Sequence, residues 1–236
     1  MRNTFNLKGE AWIKSSLKRE MDIGMVLASG PLTAPLGAVA LVAARILDGQ
    51  QAIFKQYRYG EGCQLFEVTK ITTMREDEDP EAEDGKIVTD YGERIRPYAI
   101  DEIPQLVSIL KGDMSLVGPR ALSSKVLDGM MSTLDRNTFD EWLHAFMSSR
   151  PGGFSTYGIS MRDPNFTEEP YQAKARMDID DFNIASFRHD MQMIKGAVCV
   201  AINRMRQASR QLQVENVGIE HLSNQEMLGI ASEPEL

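Results

Sequence analysis

The chain has 236 residues, of which 42% are hydrophobic, and a formal net charge of −8. That is room for one substantial domain with a real core plus an accessory segment, and the acidity excludes a general nucleic-acid binder. Cys63 and Cys199 are too few and too far apart for a disulfide framework or a zinc site, and His144, His189 and His221 share no metal-ligand spacing, so a reduced, cytoplasm-facing catalytic part is expected.

The elements read in chain order as follows. Residues 1–20 form a basic amphipathic N-terminal segment with Lys14, Lys18 and Arg19 near its end. Residues 21–49 break the soluble pattern: "DIGMVLASGPLTAPLGAVALVAAR" is uncharged from Ile23 to Ala44, roughly 33 Å as a continuous helix. Pro31 and Pro35 remove backbone donors near its middle, so a straight helix is not expected. Basic residues flank both ends, Lys14, Lys18 and Arg19 before it and Arg45, Lys55 and Arg58 after it, and such residues favour the cytoplasmic side. These features predict a helix that enters one leaflet, breaks near Pro35 and returns to the same face. A simple spanning helix, a cleaved signal peptide and a long core helix are the competing readings, with Asp22 and the prolines counting against the signal peptide.

Residues 50–203 read as a small α+β, helix-rich domain. "QAIFKQYRYGEGCQLFEVTKITTM" suggests two strands around a turn at Gly60-Glu61-Gly62, and "REDEDPEAED" (75–84) a solvated acidic loop. A helix is predicted from Asp101, with Pro104 in its first turn, Leu106, Val107 and Leu110 on one face, and Gly112 as its stop. Helical structure is expected over "SSKVLDGMMSTLDRNTFDEWLHAFMSS", a loop at "RPGGFSTYG", and one helix over "DDFNIASFRHDMQMIKGAVCVAINRM". Residues 204–236 form a polar, peripheral tail.

The adjacent carboxylates Asp101 and Glu102 stand out. At a helix N-terminus, free amides and the macrodipole would hold an aspartate ionised, as a nucleophile requires. A second carboxylate beside it suits a divalent cation, Mg2+ above all, which binds through one or two carboxylates plus phosphates. An ordinary helix cap followed by first-turn decoration explains the same spacing equally well.

"IDEIPQLVSILKGDMSLVGPR" resembles the central "LDELPQL…LKGDMSLVGPRP" motif of the bacterial sugar transferases, the monotopic phosphoglycosyl transferases. The resemblance runs from about Lys18 to Val200. "LKREMD" is similar to the family's basic start, "KQYRYG" to a Gln-x-Arg-x-Gly element, and "FEVTKITTM" to "FxxYKFRTM". "YGERIRPYAIDE" keeps a Gly, an Arg and the Asp-Glu pair in register, "RPGGFSTYGISMR" is a looser match to "RPGITGxxQVxGR", and "KARMDIDDFNIASFRHD" resembles "KxxLDxxYxxNxSxxxD".

The resemblance implies a monotopic protein with a Pro-broken re-entrant helix on the inner membrane, its catalytic domain facing the cytoplasm. It implies transfer of a sugar-1-phosphate from a nucleotide diphosphate sugar, commonly a UDP-sugar, to polyprenyl phosphate through a covalent phosphosugar-aspartyl intermediate. Asp101 would be the nucleophile and Glu102 a Mg2+ ligand; Lys70, Arg96, Arg120, Arg150 and Arg162 fall on the family's basic positions and would bind phosphate. Membrane lipids and downstream glycosyltransferases are the other partners implied; no nucleic acid is.

Departures from the pattern are Ala34, Thr72, Ala121, Gly153-Phe154-Ser155, Gly158 and Asp181. None removes the carboxylate pair or the five bases, and several fall in loops that could shape the nucleotide or sugar pocket. The alternative they favour is a degenerate, membrane-bound scaffold or binding subunit of a polysaccharide assembly complex.

Overall fold

The computed structural model describes residues 8–49, 51–76, 86–161 and 165–227, the backbone alone from 208 onward. Arg162 and most of the acidic stretch 75–84 lie outside the described residues. The chain divides into two compact units, Met1–Ala197 and Val198–Leu236.

A short helix α1 (Glu10–Ile13) leads into α2 (Ser16–Leu47), whose first amides are capped by the Ser15 hydroxyl. The charges of "LKREMD" are structural clamps. The Lys18 ammonium donates to Asp190 Oδ2 at 2.6 Å and to the Val117 carbonyl at 3.1 Å, both contacts buried. Asp22 accepts from Ser115 Oγ at 2.8 Å and from the Leu116 amide at 3.2 Å. Arg19 donates to the carbonyls of Ile109 and Leu110. Because residues 18, 22 and 26 follow one another at helical spacing, a single face of α2 carries Lys18, Asp22 and Val26, and later Gly37, Ala40 and Ala44, into the protein.

The opposite face of α2 leaves Leu27, Leu32, Val39, Val42 and Ile46 exposed. The helix is long and apolar enough to cross a membrane. The expected interruption at Pro35 is not seen as a loss of helix: the backbone stays helical through both prolines. The carbonyls of Leu27 and Pro31 lose their i+4 amide there. Nearby, the Ser29 and Thr33 hydroxyls bond back to the Val26 and Ser29 carbonyls, the kind of bond that bends helices.

Next come an antiparallel hairpin and two small pairs of strands. β1 (Ile53–Tyr59) and β2 (Leu65–Ile71) pair from Ile53↔Ile71 to Tyr59↔Leu65 around a 3-10 turn at Glu61–Cys63, as the sequence predicts. β3 (Met74–Glu76) pairs antiparallel with β4 (Lys86–Val88), and α3 follows (Asp90–Ile95). Two 3-10 turns, Arg96–Tyr98 and Ile100–Glu102, then lead to α4 (Gln105–Lys111). The helix predicted from Asp101 therefore begins four residues late, with Pro104 as its cap rather than inside its first turn. Gly112 ends it as expected, at φ +100, in the left-handed region a side chain disfavours.

β5 (Ser115–Val117) is followed by α5 (Ser124–Thr133) and α6 (Arg136–Met147). The predicted loop at "RPGGFSTYG" instead forms β6 (Gly152–Phe154), parallel to β5, and a short α7 (Thr156–Ser160). The single helix predicted near the end is two: α8 (Pro170–Ile184) stops at Ala185, and α9 (Phe187–Met227) runs on through much of the predicted tail. Met130, Trp142 and Phe146 are fully buried in the cluster joining α5, α6 and α8. A second cluster sets Ala40 and Ala44 of α2 against Ile71, Tyr91 and Ile95, and the Tyr91 hydroxyl donates to the Ala40 carbonyl at 2.7 Å. The long apolar helix is thus packed on the rest of the fold at two places, through Lys18, Asp22 and Val26 and again through Gly37, Ala40 and Ala44, with no buried residue from 27 to 36.

Candidate active site

Asp101 and Glu102 sit in the Ile100–Glu102 turn, delivered by Ala99 in a left-handed conformation at φ 55. A non-glycine residue there costs about 1–2 kcal/mol, strain that the packing around it must offset. Ile103 just beyond the pair lies where any Cβ on Gly37 of α2 would come within 2.9 Å of it, so the absent side chain lets helix and turn close up. At the far end of α4, Arg19 holds the last carbonyls. The carboxylate turn is therefore braced on both sides by α2.

In a 3-10 turn neighbouring side chains diverge by about 120°, and the two carboxylates have different surroundings. Glu102 Oε1 receives Lys70 Nζ at 2.8 Å and Arg120 Nη2 at 2.7 Å. Burial works against its ionisation, but Arg120 and Lys70 outweigh that cost and bring its carboxyl down to about 2. Asp101 is 7% exposed, and burial pushes its carboxyl above the ordinary aspartate range; Lys70 opposes the shift, Glu102 adds to it and Arg96 opposes it more weakly. The expectation of an aspartate held ionised by a helix terminus fails, because α4 starts beyond it; nearby cations provide the counterweight instead.

Two connected hollows flank the pair. The larger, about 520 Å3, is lined by Asp101, Arg96, Lys70, Arg58 and Thr72 among others. The smaller, about 120 Å3, is lined by Lys70, Arg58, Arg120, Gln105 and Ala121 among others. Phe54, Gln56, Arg58 and Lys70 belong to both. Alternation along β1 puts residues 54, 56 and 58 on one face, toward the site.

Lys70, Arg96 and Arg120 thus converge on the pair. Arg150 does not: it pairs with Glu61 at 3.4 Å and lines a separate, small cavity with Lys18, Asp178, Asp181, His189 and Asp190. Arg58 and Gln105 were missed as site residues, although strand alternation in "KQYRYG" was a usable signal for Arg58. With Arg58, four cations face two carboxylates, an excess that suits a polyanion such as a diphosphate.

Among the described residues no three His, Cys, Asp or Glu gather as a metal site. Mg2+ needs only one or two carboxylates when phosphates and water complete its shell. Since Lys70 and Arg120 both occupy Glu102 Oε1, and the surrounding cations outnumber the carboxylates, the donor set fits Mg2+ arriving with a diphosphate rather than alone.

Two departures noted in the sequence meet in the structure. Asp181 accepts from the Thr156 amide at 2.9 Å and from its hydroxyl at 2.5 Å, pinning the start of α7. Gly158 of that helix packs on Arg120: a Cβ there would lie 3.1 Å from Arg120 Cδ and 3.0 Å from Ser155 Oγ.

The Glu102 pairing sets a pH dependence. Its carboxyl falls from 4.5 to about 2 on folding, so its contribution to stability is present above pH 4.5 and lost as pH falls towards 2. The destabilisation caused by Arg120→Gln is therefore expected to shrink from pH 4.5 to pH 2 in urea unfolding; a constant difference would detach Arg120 from that ionisation. Gly158→Ala, by pressing on Arg120, should act in the same direction more weakly. Gly153→Ala, whose Cβ would meet nothing closer than 3.7 Å, should leave the profile unchanged.

Comparison with known proteins accords with this arrangement. The family model described as "Bacterial sugar transferase" matches residues 13–204. The exopolysaccharide production protein PSS of Rhizobium leguminosarum bv. phaseoli is 30% identical over 203 residues, covering 80% of this chain and 96% of the relative. The UDP-glucose:undecaprenyl-phosphate glucose-1-phosphate transferase of Caulobacter vibrioides is 40% identical over 108 residues, 44% of this chain and 40% of the relative. The UDP-N-acetylgalactosamine-undecaprenyl-phosphate N-acetylgalactosaminephosphotransferase of Aeromonas hydrophila is 37% identical over 113 residues, 46% of this chain and 27% of the relative. The matched segment holds the clamped start of α2, the carboxylate turn and its cations, and the chain belongs to the bacterial sugar transferase family.

Proposed function

We propose that the protein is a phosphoglycosyl transferase that moves a sugar-1-phosphate from a nucleotide diphosphate sugar, a UDP-sugar, to polyprenyl phosphate, with Asp101 as the covalent nucleophile. The observation that carries this reading is the division of labour in the pair. Glu102 is fixed as an anion by Lys70 and Arg120, while Asp101 stands partly desolvated at the larger hollow, supported by the charges of Lys70 and Arg96 and by a backbone amide but by no side-chain hydrogen bond among the described residues. A carboxylate freed of strong hydrogen bonds is the better nucleophile, and cations positioned beforehand suit a reaction governed by charge neutralisation. The relatives from Caulobacter vibrioides and Aeromonas hydrophila bear names of this activity.

In the first half-reaction an Asp101 oxygen attacks the sugar-bearing phosphorus and the nucleoside monophosphate departs with the bonding electron pair. In the second an oxygen of polyprenyl phosphate attacks the same phosphorus and Asp101 leaves as a carboxylate. Glu102 with Asp101 would hold Mg2+, which when bound supplies charge neutralisation on the diphosphate. Arg96 and Lys70 orient the anion beside Asp101, and Arg120 keeps Glu102 ionised. The gathering of Lys70, Arg96 and Arg120 around the carboxylate pair supports the enzyme over the scaffold alternative.

The same reading places the protein on one face of the inner membrane, with its catalytic part in the cytoplasm. α2 is packed on that part on both sides of its middle, at Lys18, Asp22 and Val26 and at Gly37, Ala40 and Ala44. Were α2 to cross the bilayer upright, it would draw polar protein surface into hydrocarbon, at a cost the burial of its outer leucines would not offset. A helix bent near Pro31 and Pro35, with Leu27, Leu32 and Val39 in one leaflet, avoids that penalty. Tags at Arg2 and Leu236 should both report from the cytoplasm; opposite sides would establish a spanning helix.

Asp101→Asn should abolish release of nucleoside monophosphate and the protein-bound phosphosugar detected by mass spectrometry after quenching. The same substitution should raise Tm at pH 7: the raised carboxyl pKa means that ionising Asp101 destabilises the fold as pH rises through it, and asparagine removes that charge. An active Asp101→Asn protein would refute the covalent assignment.

A further inference from the structure

Within this proposed reaction, and resting on it for the identity of the ligand, we infer that the smaller hollow is a phosphate-monoester subsite built by Arg58, Arg120 and Gln105, used in turn by the departing nucleoside monophosphate and the attacking polyprenyl phosphate. Three observations carry it. Arg58 is about half-buried; among the described residues it donates through Nε and Nη2 to the Gln56 amide oxygen, at 3.0 and 2.7 Å, and no carboxylate pairs with it. Burial, and then the neighbouring charge of Arg120, disfavour its protonated form, so the protein keeps two guanidinium groups close together at a cost that an anion between them would reverse. Gln105, 7% exposed, lines the same hollow, and its buried Nε2 has no hydrogen-bond partner among the described residues.

The smaller hollow, about 120 Å3, has room for a phosphate group, and the 520 Å3 hollow beside Asp101 accommodates the bulkier part of a donor. Chemistry makes the subsite shared. An in-line displacement puts entering and leaving oxygens on opposite sides of phosphorus. Once Asp101 has displaced the nucleoside monophosphate, the second nucleophile must approach from the side that was vacated. Both groups are phosphate monoesters, so one set of donors serves both half-reactions.

The test uses full-length protein in detergent. Uridine 5′-monophosphate, and inorganic phosphate in parallel, are titrated calorimetrically into the Asp101→Asn protein with and without Arg58→Gln, Arg58→Lys or Gln105→Leu. Arg58→Gln should weaken both ligands by about tenfold to a hundredfold, the loss expected for a charged hydrogen bond, with Arg58→Lys and Gln105→Leu in between and the surface variant Arg136→Gln unchanged. Unaltered phosphate binding in a folded Arg58→Gln protein overturns the subsite. This arm needs no covalent chemistry, so it stands or falls independently of the aspartyl intermediate. With Asp101 intact, Arg58→Gln should slow both the release of nucleoside monophosphate without lipid and the discharge of preformed phosphosugar-enzyme to polyprenyl phosphate. Slowing of one alone overturns the sharing.

Discussion

The site depends on one shared oxygen. Glu102 Oε1 takes Lys70 from β2 and Arg120 from the segment after β5, so a single carboxylate ties together the hairpin, the turn before α4 and the loop before α5. A buried carboxylate with one cation would be a poor exchange for hydration; with two it is held ionised with a carboxyl pKa of about 2. Its neighbour pays the complementary cost. Asp101 lies close enough to feel the same Lys70, yet no side chain hydrogen-bonds to it among the described residues, and burial raises its proton affinity. Two adjacent residues of nearly the same chemistry are thereby pushed apart, one into a fixed charge and the other into a carboxyl of raised proton affinity.

That arrangement needs a rigid turn, and α2 provides much of the rigidity. Lys18, Asp22 and Arg19 fasten its start to α9, β5 and α4, and Gly37 lets Ile103 close against it. The helix that is long and apolar enough to cross a membrane is therefore also part of the frame of the candidate site, with an apolar outer face and an inner face bearing buried charges.

Several positions at which the sequence departs from the family motif lie near Arg120 and the two hollows. Asp181 anchors the Thr156 end of α7, and Gly158 on that helix leaves Arg120 the room it occupies beside Glu102. Ala121 borders the smaller hollow and Thr72 the larger.

How much of this was written in the sequence varies from element to element. The β1–β2 hairpin was legible because alternation and a Gly-x-Gly turn are local signals, and Gly112 marked the end of α4 for the same reason. The Asp101-Glu102 pair, Lys70, Arg96 and Arg120 could be singled out by motif spacing, since residue type and order survive where the rest drifts. The start of α4, the helical continuity through Pro35, and the strand and helix within "RPGGFSTYG" were misread, because neighbouring elements there override local propensity. Arg150 matches its motif like the other bases, but its side chain turns to Glu61, while Arg58 could be placed by strand alternation and Gln105 comes to the site from a helix whose face only packing orients. Residue identities alone decided that two carboxylates would stand side by side. Which of them became the fixed anion was settled only when β2 and the loop after β5 brought two cations to the same oxygen, for Coulombic pairing acts on distance in space and sequence records only order.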